Sequence, residues 1–278
     1  MNWGEALTFA EATLKEAGID SARQDARLLL AYHLDKDISS IMAFPEKELE
    51  GREDFNALIS RRSLSEPVSH ILGEREFWSL PFKVTSDVLD PRPDSETLIE
   101  AVLERKPNHS DAVDIIDFGT GSGCLLLTLI SEYKQALGTA VDISDTALKI
   151  AEENARNLDL QSRCQFIQSN WHEKVSGQYD ILISNPPYIT SADMKTLSKD
   201  VYDHEPHLAL HGGEDGLKPY RILIPAGKQL LKENGLICLE FGYEQADSVA
   251  SLLDRNGYKD IQLHPDLSGI IRCATAFS

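Results

Sequence analysis

The chain is short of basic residues, of cysteines and of long apolar runs, and each shortage excludes a class of protein. Lys and Arg number 27 against 45 Asp and Glu, for a net charge of −18. Residues 1–90 hold 10 basic against 17 acidic side chains, a balance of −7, and the remainder carries the other −11. Neither part offers the basic surface that supplies most nonspecific affinity for nucleic acid. The expected partner is not naked DNA, or is itself basic. Only Cys124, Cys164, Cys238 and Cys273 occur, none in a CxxC pair and most among apolar neighbours. They read as reduced core thiols rather than disulfides or zinc ligands. No apolar run is long enough to cross a bilayer. The opening stretch, MNWGEALTFAEATLKEAG, has no basic head and carries Glu5, Glu11 and Glu16, so it does not read as a signal peptide. No repeat or low-complexity tract is present. A cytoplasmic globular protein is the expectation, in keeping with 42% apolar and 26% charged residues. A length of 278 residues accommodates one large α/β unit and a small one.

The first seventy or so residues have helical periodicity. Leu7, Ala10, Leu14 and Ala17 share a face, and Gly18 is a natural stop. Asp20 or Ser21 can cap a second helix through Ala26, Leu29, Leu30 and His33, and DFNALISRRS brings Phe55, Leu58 and Ile59 together. A small helical bundle is expected. The stretch FWSLPFKVTSDVLDPRP then turns β-rich, with Pro91 and Pro93 stiffening its end, and is taken as a hairpin linker. A helix, DSETLIEAVLERK, follows.

From residue 112 onward strands alternate with helices. AVDIIDFG, GTAVDIS, CQFIQS, YDILIS and LICLEFG read as strands. CLLLTLISEYKQ, DTALKIAEENARNL and QADSVASLLDRNG read as helices, as does YRILIPAGKQLLKENG with an interruption near Pro225. Two more strands, DIQLHPDLSG and IRCATAFS, close the chain with no helix between them. The pattern predicts a doubly wound, mostly parallel, Rossmann-like α/β sheet of seven strands with an antiparallel edge hairpin.

Three loops of that sheet carry chemistry. DFGTGSGC joins the first strand to its helix with glycines at 119, 121 and 123; a dinucleotide fingerprint would put the last glycine where Cys124 stands. Glycines there let the backbone approach a ligand closely. The next strand ends at Asp142, 23 residues beyond Gly119, where a carboxylate can accept both hydroxyls of a ribose. Asp142 could instead cap a helix, but Ser144 or Asp145 can do that. After the third strand, Trp171 can stack on a purine with Asn170 at its edge; Trp171 can equally be a partly buried core aromatic. A ribose, a purine and no clear pyrophosphate loop suggest S-adenosylmethionine.

The stretch NPPY, Asn185 to Tyr188, sits at the carboxyl end of the fourth strand. A planar NH2 group is a poor nucleophile because its lone pair is delocalised. Two acceptors on its N–H bonds would hold it and enrich the nitrogen. The Asn185 side-chain oxygen and the Pro186 carbonyl can be those acceptors. Pro187 lacks an N–H and stiffens the turn, and Tyr188 can cover the flat face. Positioning and electrostatics then carry the catalysis, and no strong general base is needed. Alone, an Asn-Pro turn ending a strand explains NPPY about as well. It does not explain NPPY, the glycine loop and Asp142 in that order.

Together with DVLDPRPDSETLIE, HEPHLALHGGEDGLKPYR, LEFGYEQ and DLSGIIR, these motifs resemble the HemK family of peptide chain release factor N5-glutamine methyltransferases, class I enzymes that use S-adenosylmethionine. RRSLSEPVSHILGEREFWSLPF also fits, so the likeness runs from about residue 60 to the end. The resemblance implies methylation of the side-chain amide of the glutamine in the Gly-Gly-Gln loop of class 1 release factors. It implies cofactor contacts at Gly119, Thr120, Gly121, Ser122, Gly123, Asp142, Asn170, Trp171 and Asn185. Catalytic contacts fall on Asn185, Pro186 and Tyr188, and substrate contacts on these and Pro187. It further implies that the helical domain, over 1–73, helps dock the release factor. The hairpin linker is taken as 74–90 and the methyltransferase domain as 91–278, and a monomer with no membrane or nucleic-acid partner is expected. Two positions depart from the family pattern. Asp90 replaces an aliphatic residue before PRP, which bears on the lining near the hinge. Asn170 replaces an acid before the aromatic, which bears on adenine recognition.

Other features have plainer readings. His204, His207 and His211 mimic metal-ligand spacing, but Pro206 breaks the helix that would align them. GGEDG lacks EF-hand spacing and reads as a turn. Arg61 and Arg62 read as a solvated helix end. Rival functions are a glutamine methyltransferase of a ribosomal protein, an adenine-N6 DNA methyltransferase and a noncatalytic adaptor. DLSGIIR, the acidic charge and intact Asn185 and Asp142 argue against them in turn.

Overall fold

A computed structural model describes residues 1–278, which fall into two compact units. The first comprises Met1–Glu74 with Ser198–His204. Its helices are α1 (Trp3–Glu16), α2 (Ala22–Leu34), α3 (Ile38–Ala43), α4 (Arg52–Ser63) and α5 (Val68–Leu72). Helix α1 begins with a capping box: the Asn2 side chain accepts from the Glu5 amide, and Glu5 accepts from the Asn2 amide. Ala6, Ala10, Leu14, Leu29, Leu30, Phe55 and Ile59 form the core of the bundle. Leu7 and Leu58 lie at its margin, and Ala17 is exposed at the cap of α1. The expected solvated end of α4 is half wrong. Arg61 is exposed and pairs with Glu66, but Arg62 is buried, with its Nε 2.7 Å from Asp25 Oδ2. Two short helices, α3 and α5, escape periodicity because neither completes two turns.

The second unit, Arg75–Leu197 with Glu205–Ser278, opens on a hairpin of β1 (Glu74–Phe77) and β2 (Leu80–Lys83). Phe77 and Phe82 from this hairpin are buried in the core beneath the large sheet. A 3₁₀ turn, Pro93–Ser95, leads into α6 (Glu96–Arg105). Then come β3 (Asp114–Phe118), α7 (Cys124–Glu132), β4 (Leu137–Asp142), α8 (Asp145–Asn157), β5 (Cys164–Gln168) and β6 (Tyr179–Ser184). After α9 (Lys199–His204, counted with the first unit) follow α10 (His207–Leu210), α11 (Lys218–Leu230), β7 (Leu231–Glu240), α12 (Ala246–Arg255), β8 (Lys259–Pro265) and β9 (Ile271–Phe277).

The seven strands run β5-β4-β3-β6-β7-β9-β8. The first five are mutually parallel, and β9 is antiparallel to both β7 and β8. This is the expected doubly wound sheet with its antiparallel edge hairpin. The central strands are apolar on both faces because both faces are covered. Ile115, Ile181, Ile183 and Leu236 pack with α6 and α7 through Leu98, Val102, Leu126 and Ile130. Ile116, Leu182, Ile237 and Leu239 pack with α11 and α12 through Leu223, Val249 and Leu253. Helix α11 is not interrupted at Pro225. Pro225 is on the exposed face, so the carbonyl that loses its N–H partner is left to water. The order of strands reverses between β3 and β6, which are parallel neighbours, so their carboxyl ends form the switch point where such sheets bind ligands. No helix is long and apolar enough to cross a membrane.

Candidate functional site

The loops after β3, β4, β5 and β6 converge on one cavity of about 370 Å³ at the carboxyl edge of the sheet. Gly119, Gly121, Asp142, Asn170, Trp171 and Asn185 all line it, and Pro187 completes the set. The volume lies in the range of small-molecule sites.

The glycine loop is held from behind. Gly119, Gly121 and Gly123 all have positive φ, at 72°, 55° and 82°. A side chain at Gly121 would enter open space, so the bare backbone faces the cavity. Gly123 serves packing instead: a Cβ there would meet Ala151 Cβ on α8 and Leu127 Cδ1 on α7 at 3.2 Å. Thr120 and Ser122 are buried and do not line the cavity. The Thr120 hydroxyl donates to Asp117 Oδ2 at 2.7 Å. Asn154, buried on α8, donates to the Ser122 carbonyl at 2.8 Å and to the Lys83 carbonyl, and accepts from the Lys83 amide. It pins the loop to the hairpin. Sequence reasoning passed over Asn154 because an asparagine on a mid-helix face carries no signal of what it meets.

Asp142 is positioned by backbone donors. Its Oδ2 accepts from Gly121 N at 3.0 Å and its Oδ1 from Ser144 N at 2.9 Å. Ser144 caps α8 as expected, accepting from the Ala147 amide, so Asp142 is not needed for capping. Burial raises the Asp142 pKa, opposed by hydrogen bonds from the backbone of Ser144, Gly121 and Ile143. Asp117, buried under the loop, is pushed up to about 7, chiefly by burial, with the Thr120 bond opposing and Asp142 adding. Its Oδ1 has no partner.

Trp171 is half-buried against the core, as the plainer reading has it, and it also lines the cavity. Its Cζ3 lies 4.0 Å from where a Gly119 Cβ would stand. Asn170 is exposed and its Nδ2 donates to Glu173 Oε1 at 2.6 Å. Asp90 does not line the cavity, although Asp87, Val88 and Leu89 just before it do. It is buried, with one oxygen 3.9 Å from Arg75 Nη1.

In NPPY, Asn185 and Pro187 face the cavity, while Pro186 is buried and Tyr188 packs half-buried against the core. Burial pushes the Tyr188 phenol up to about 12, with Glu240 the next cause. The segment is clamped from two sides. Gln245 Nε2 donates to the Tyr188 carbonyl at 3.1 Å. The Leu210–Gly212 segment bridges Ile189, whose amide donates to Leu210 O at 2.9 Å and whose carbonyl accepts from Gly212 N at 2.8 Å. The far wall, including Leu208, His211 and Ile222, comes from α10, its loop and α11, which the sequence did not assign to the site.

Comparisons with known proteins decide the family. Residues 5–73 match the family described as PrmC N-terminal domain, and residues 83–213 match Methyltransferase small domain. The chain is 42% identical to the release factor glutamine methyltransferase of Rhodospirillum rubrum, over 98% of this chain and 84% of that one. The chain belongs to the release factor glutamine methyltransferase family. It is 40% identical to the protein of that name from Caulobacter vibrioides, over 95% and 92% of the two chains. Among solved structures, the hMettl16 catalytic domain aligns with TM-score 0.58 at 16% identity, over 80% of each chain. The Thermus thermophilus RsmC structure with AdoMet and guanosine aligns with TM-score 0.53 at 16% identity, over 74% of this chain and 49% of that one. At that identity these two speak for the methyltransferase fold alone.

Proposed function

We propose that this chain transfers a methyl group from S-adenosylmethionine to the side-chain amide nitrogen of the glutamine in the Gly-Gly-Gln loop of class 1 release factors. The observation that carries the reading is the convergence of the glycine loop, Asp142 and Asn185 on one cavity in a member of this family. The site fits the cofactor. Gly119 and Gly121 offer bare backbone, Asp142 offers a carboxylate at the ribose position, and Trp171 offers a flat apolar face. When bound, the cofactor supplies an electrophilic methyl on a sulfonium.

Asn185 Oδ1 and the Pro186 carbonyl are the two acceptors for the glutamine NH2. They orient it and raise electron density on nitrogen as positive charge develops there. Pro187 keeps a competing N–H out of the turn. Tyr188, neutral at physiological pH, packs the glutamine plane without competing for its proton. The methylated nitrogen is acidic enough to lose its proton to water, so the reading needs no buried base. The helical unit is read as the docking surface for the release factor, and the reaction as cytoplasmic and independent of nucleic acid.

The test is transfer of labelled methyl to a purified class 1 release factor. Wild type labels it, and Asn185→Ala lowers the rate by about 10²–10³-fold, the size of losing one preorganised polar contact. Transfer to a ribosomal protein but not to a release factor would replace the substrate. Bound cofactor with transfer to neither would leave an adaptor.

A further inference from the structure

Behind Asn185, outside the cavity, lies a buried carboxylate that the mechanism above does not use. Glu240 ends β7 with 2% of its surface exposed. The side chains of Ser95 and Asn185 lie near enough to favour its ionised form, and its Oε2 has no partner. Asn185 Nδ2 also donates to Ser95 Oγ at 3.1 Å. Glu240 does not line the cavity and cannot reach a substrate there. A lone carboxylate in such a place is costly, and a strand end packed on Leu239 and Phe241 does not require one.

We propose that Glu240 and Ser95 are positioning residues that hold the Asn185 amide with its oxygen towards the substrate. The inference rests on the role given to Asn185 above. An amide presents an acceptor on one side and two donors on the other, and a half-turn of its last torsion exchanges them. The Asn185 oxygen is useful towards an NH2 group; its nitrogen is not. An ionised carboxylate is acceptor-only. An ionised Glu240 can therefore accept a hydrogen bond from the Ser95 hydroxyl, which leaves Ser95 Oγ only lone pairs for Asn185. Both acceptors demand the Asn185 NH2, so Oδ1 is left to the cavity. Protonated, Glu240 becomes a donor, Ser95 can turn its hydroxyl proton towards Asn185, and the preference is lost.

The charged and titratable groups around Glu240 come from every neighbouring element. Arg272, on β9, favours the carboxylate, and Asp94 opposes it from the 3₁₀ turn. Tyr188 and Tyr220 feel its charge but titrate far above neutrality. Cys124 and Cys273 do the same. Glu240 itself is pushed up to about 7, chiefly by burial. Asp117 titrates near the same pH but lies under the glycine loop.

The test is a mutant cycle with a pH profile. Glu240→Gln keeps the shape but can donate as well as accept. It should lower kcat by about tenfold or more, the scale of a misplaced contact, without changing cofactor affinity. In an Asn185→Ala background the same change should cost nothing further. Wild-type kcat should fall as pH drops through about 7, and the Glu240→Gln profile should lose that step. Independently of any substrate, the Asn185 side-chain NH2 resonances of the wild-type protein should shift through the same pH range. The proposal is overturned if Glu240→Gln matches wild type, if its loss persists undiminished without Asn185, or if those resonances do not move. Failure of the wild type to methylate any release factor would instead count against the proposed substrate, and the resonance experiment would still decide this inference.

Discussion

A methyl group added at Gly212 should slow catalysis by displacing the NPPY segment. A Cβ there would stand 2.7 Å from the Pro187 carbonyl oxygen and 2.7 Å from Tyr188 Cα. Both are backbone atoms, so no side chain can swing aside. Ordinary contact begins at 3.4 Å, so the NPPY segment must retreat by about 0.7 Å. Gly212 does not have positive φ, so an alanine there adds bulk without backbone strain. Its N–H donates a hydrogen bond to the Ile189 carbonyl, which ties the two segments together and transmits the push. Catalytic groups need placement to about 0.5 Å, and an error near 1 Å costs about 100-fold. Gly212→Ala is therefore expected to lower kcat by roughly 10–100-fold and to cost about 1–3 kcal/mol of stability from overpacking. Steady-state methylation at saturating substrates reads the first, and urea unfolding the second. Gly257→Ala is the control. It has φ +75 and nothing within 4 Å, so it should cost about 1 kcal/mol and leave kcat intact. A Gly212→Ala enzyme with wild-type kcat, or equal kinetic losses in both variants, would refute the reasoning.

Other consequences can be measured separately. Asp142→Asn removes one acceptor from a carboxylate held by Gly121 and Ser144, and should weaken S-adenosylmethionine binding by about 10–100-fold in calorimetry. Asp25→Ala strands the buried Arg62 guanidinium and should cost about 3–5 kcal/mol in denaturant unfolding. Asp117 and Glu240 both bind protons more tightly folded than unfolded. Their contribution is full below the ordinary carboxyl range and is lost as pH rises through about 7. Thermal stability should therefore fall between about pH 5 and pH 8, and Glu240→Gln should flatten the slope. A rise over that interval would contradict the assignment.

What the sequence made legible follows from the physics of a covered parallel sheet. Stretches such as ILI (Ile181–Ile183) and LICL (Leu236–Leu239) are apolar on both faces because helices pack on both, so they stand out as unbroken runs. Functional loops at their carboxyl ends are then easy to find, since Gly119, Asp142 and Asn185 each follow such a run directly. What escaped detection depends on distant pairings. Glu240 looks like the polar end of a strand until Ser95, far back in the chain, is seen beside it. Arg62 looks solvated until Asp25, two helices earlier, closes on it. Pro225 reads as a break because sequence cannot say that it faces water. Asn170 is on the cavity, yet its amide is taken by Glu173, a local bond that spacing alone does not predict.

The central claim is that one glutamine nitrogen of a release factor receives the methyl group. The most direct measurement is peptide mass spectrometry of a class 1 release factor after incubation with the purified chain and isotopically labelled S-adenosylmethionine. The account predicts a single methyl on the Gly-Gly-Gln glutamine, formed about 10²–10³-fold more slowly with Asn185→Ala and absent when that glutamine is replaced. Label elsewhere on the release factor, or labelling at the wild-type rate without Asn185, would contradict it.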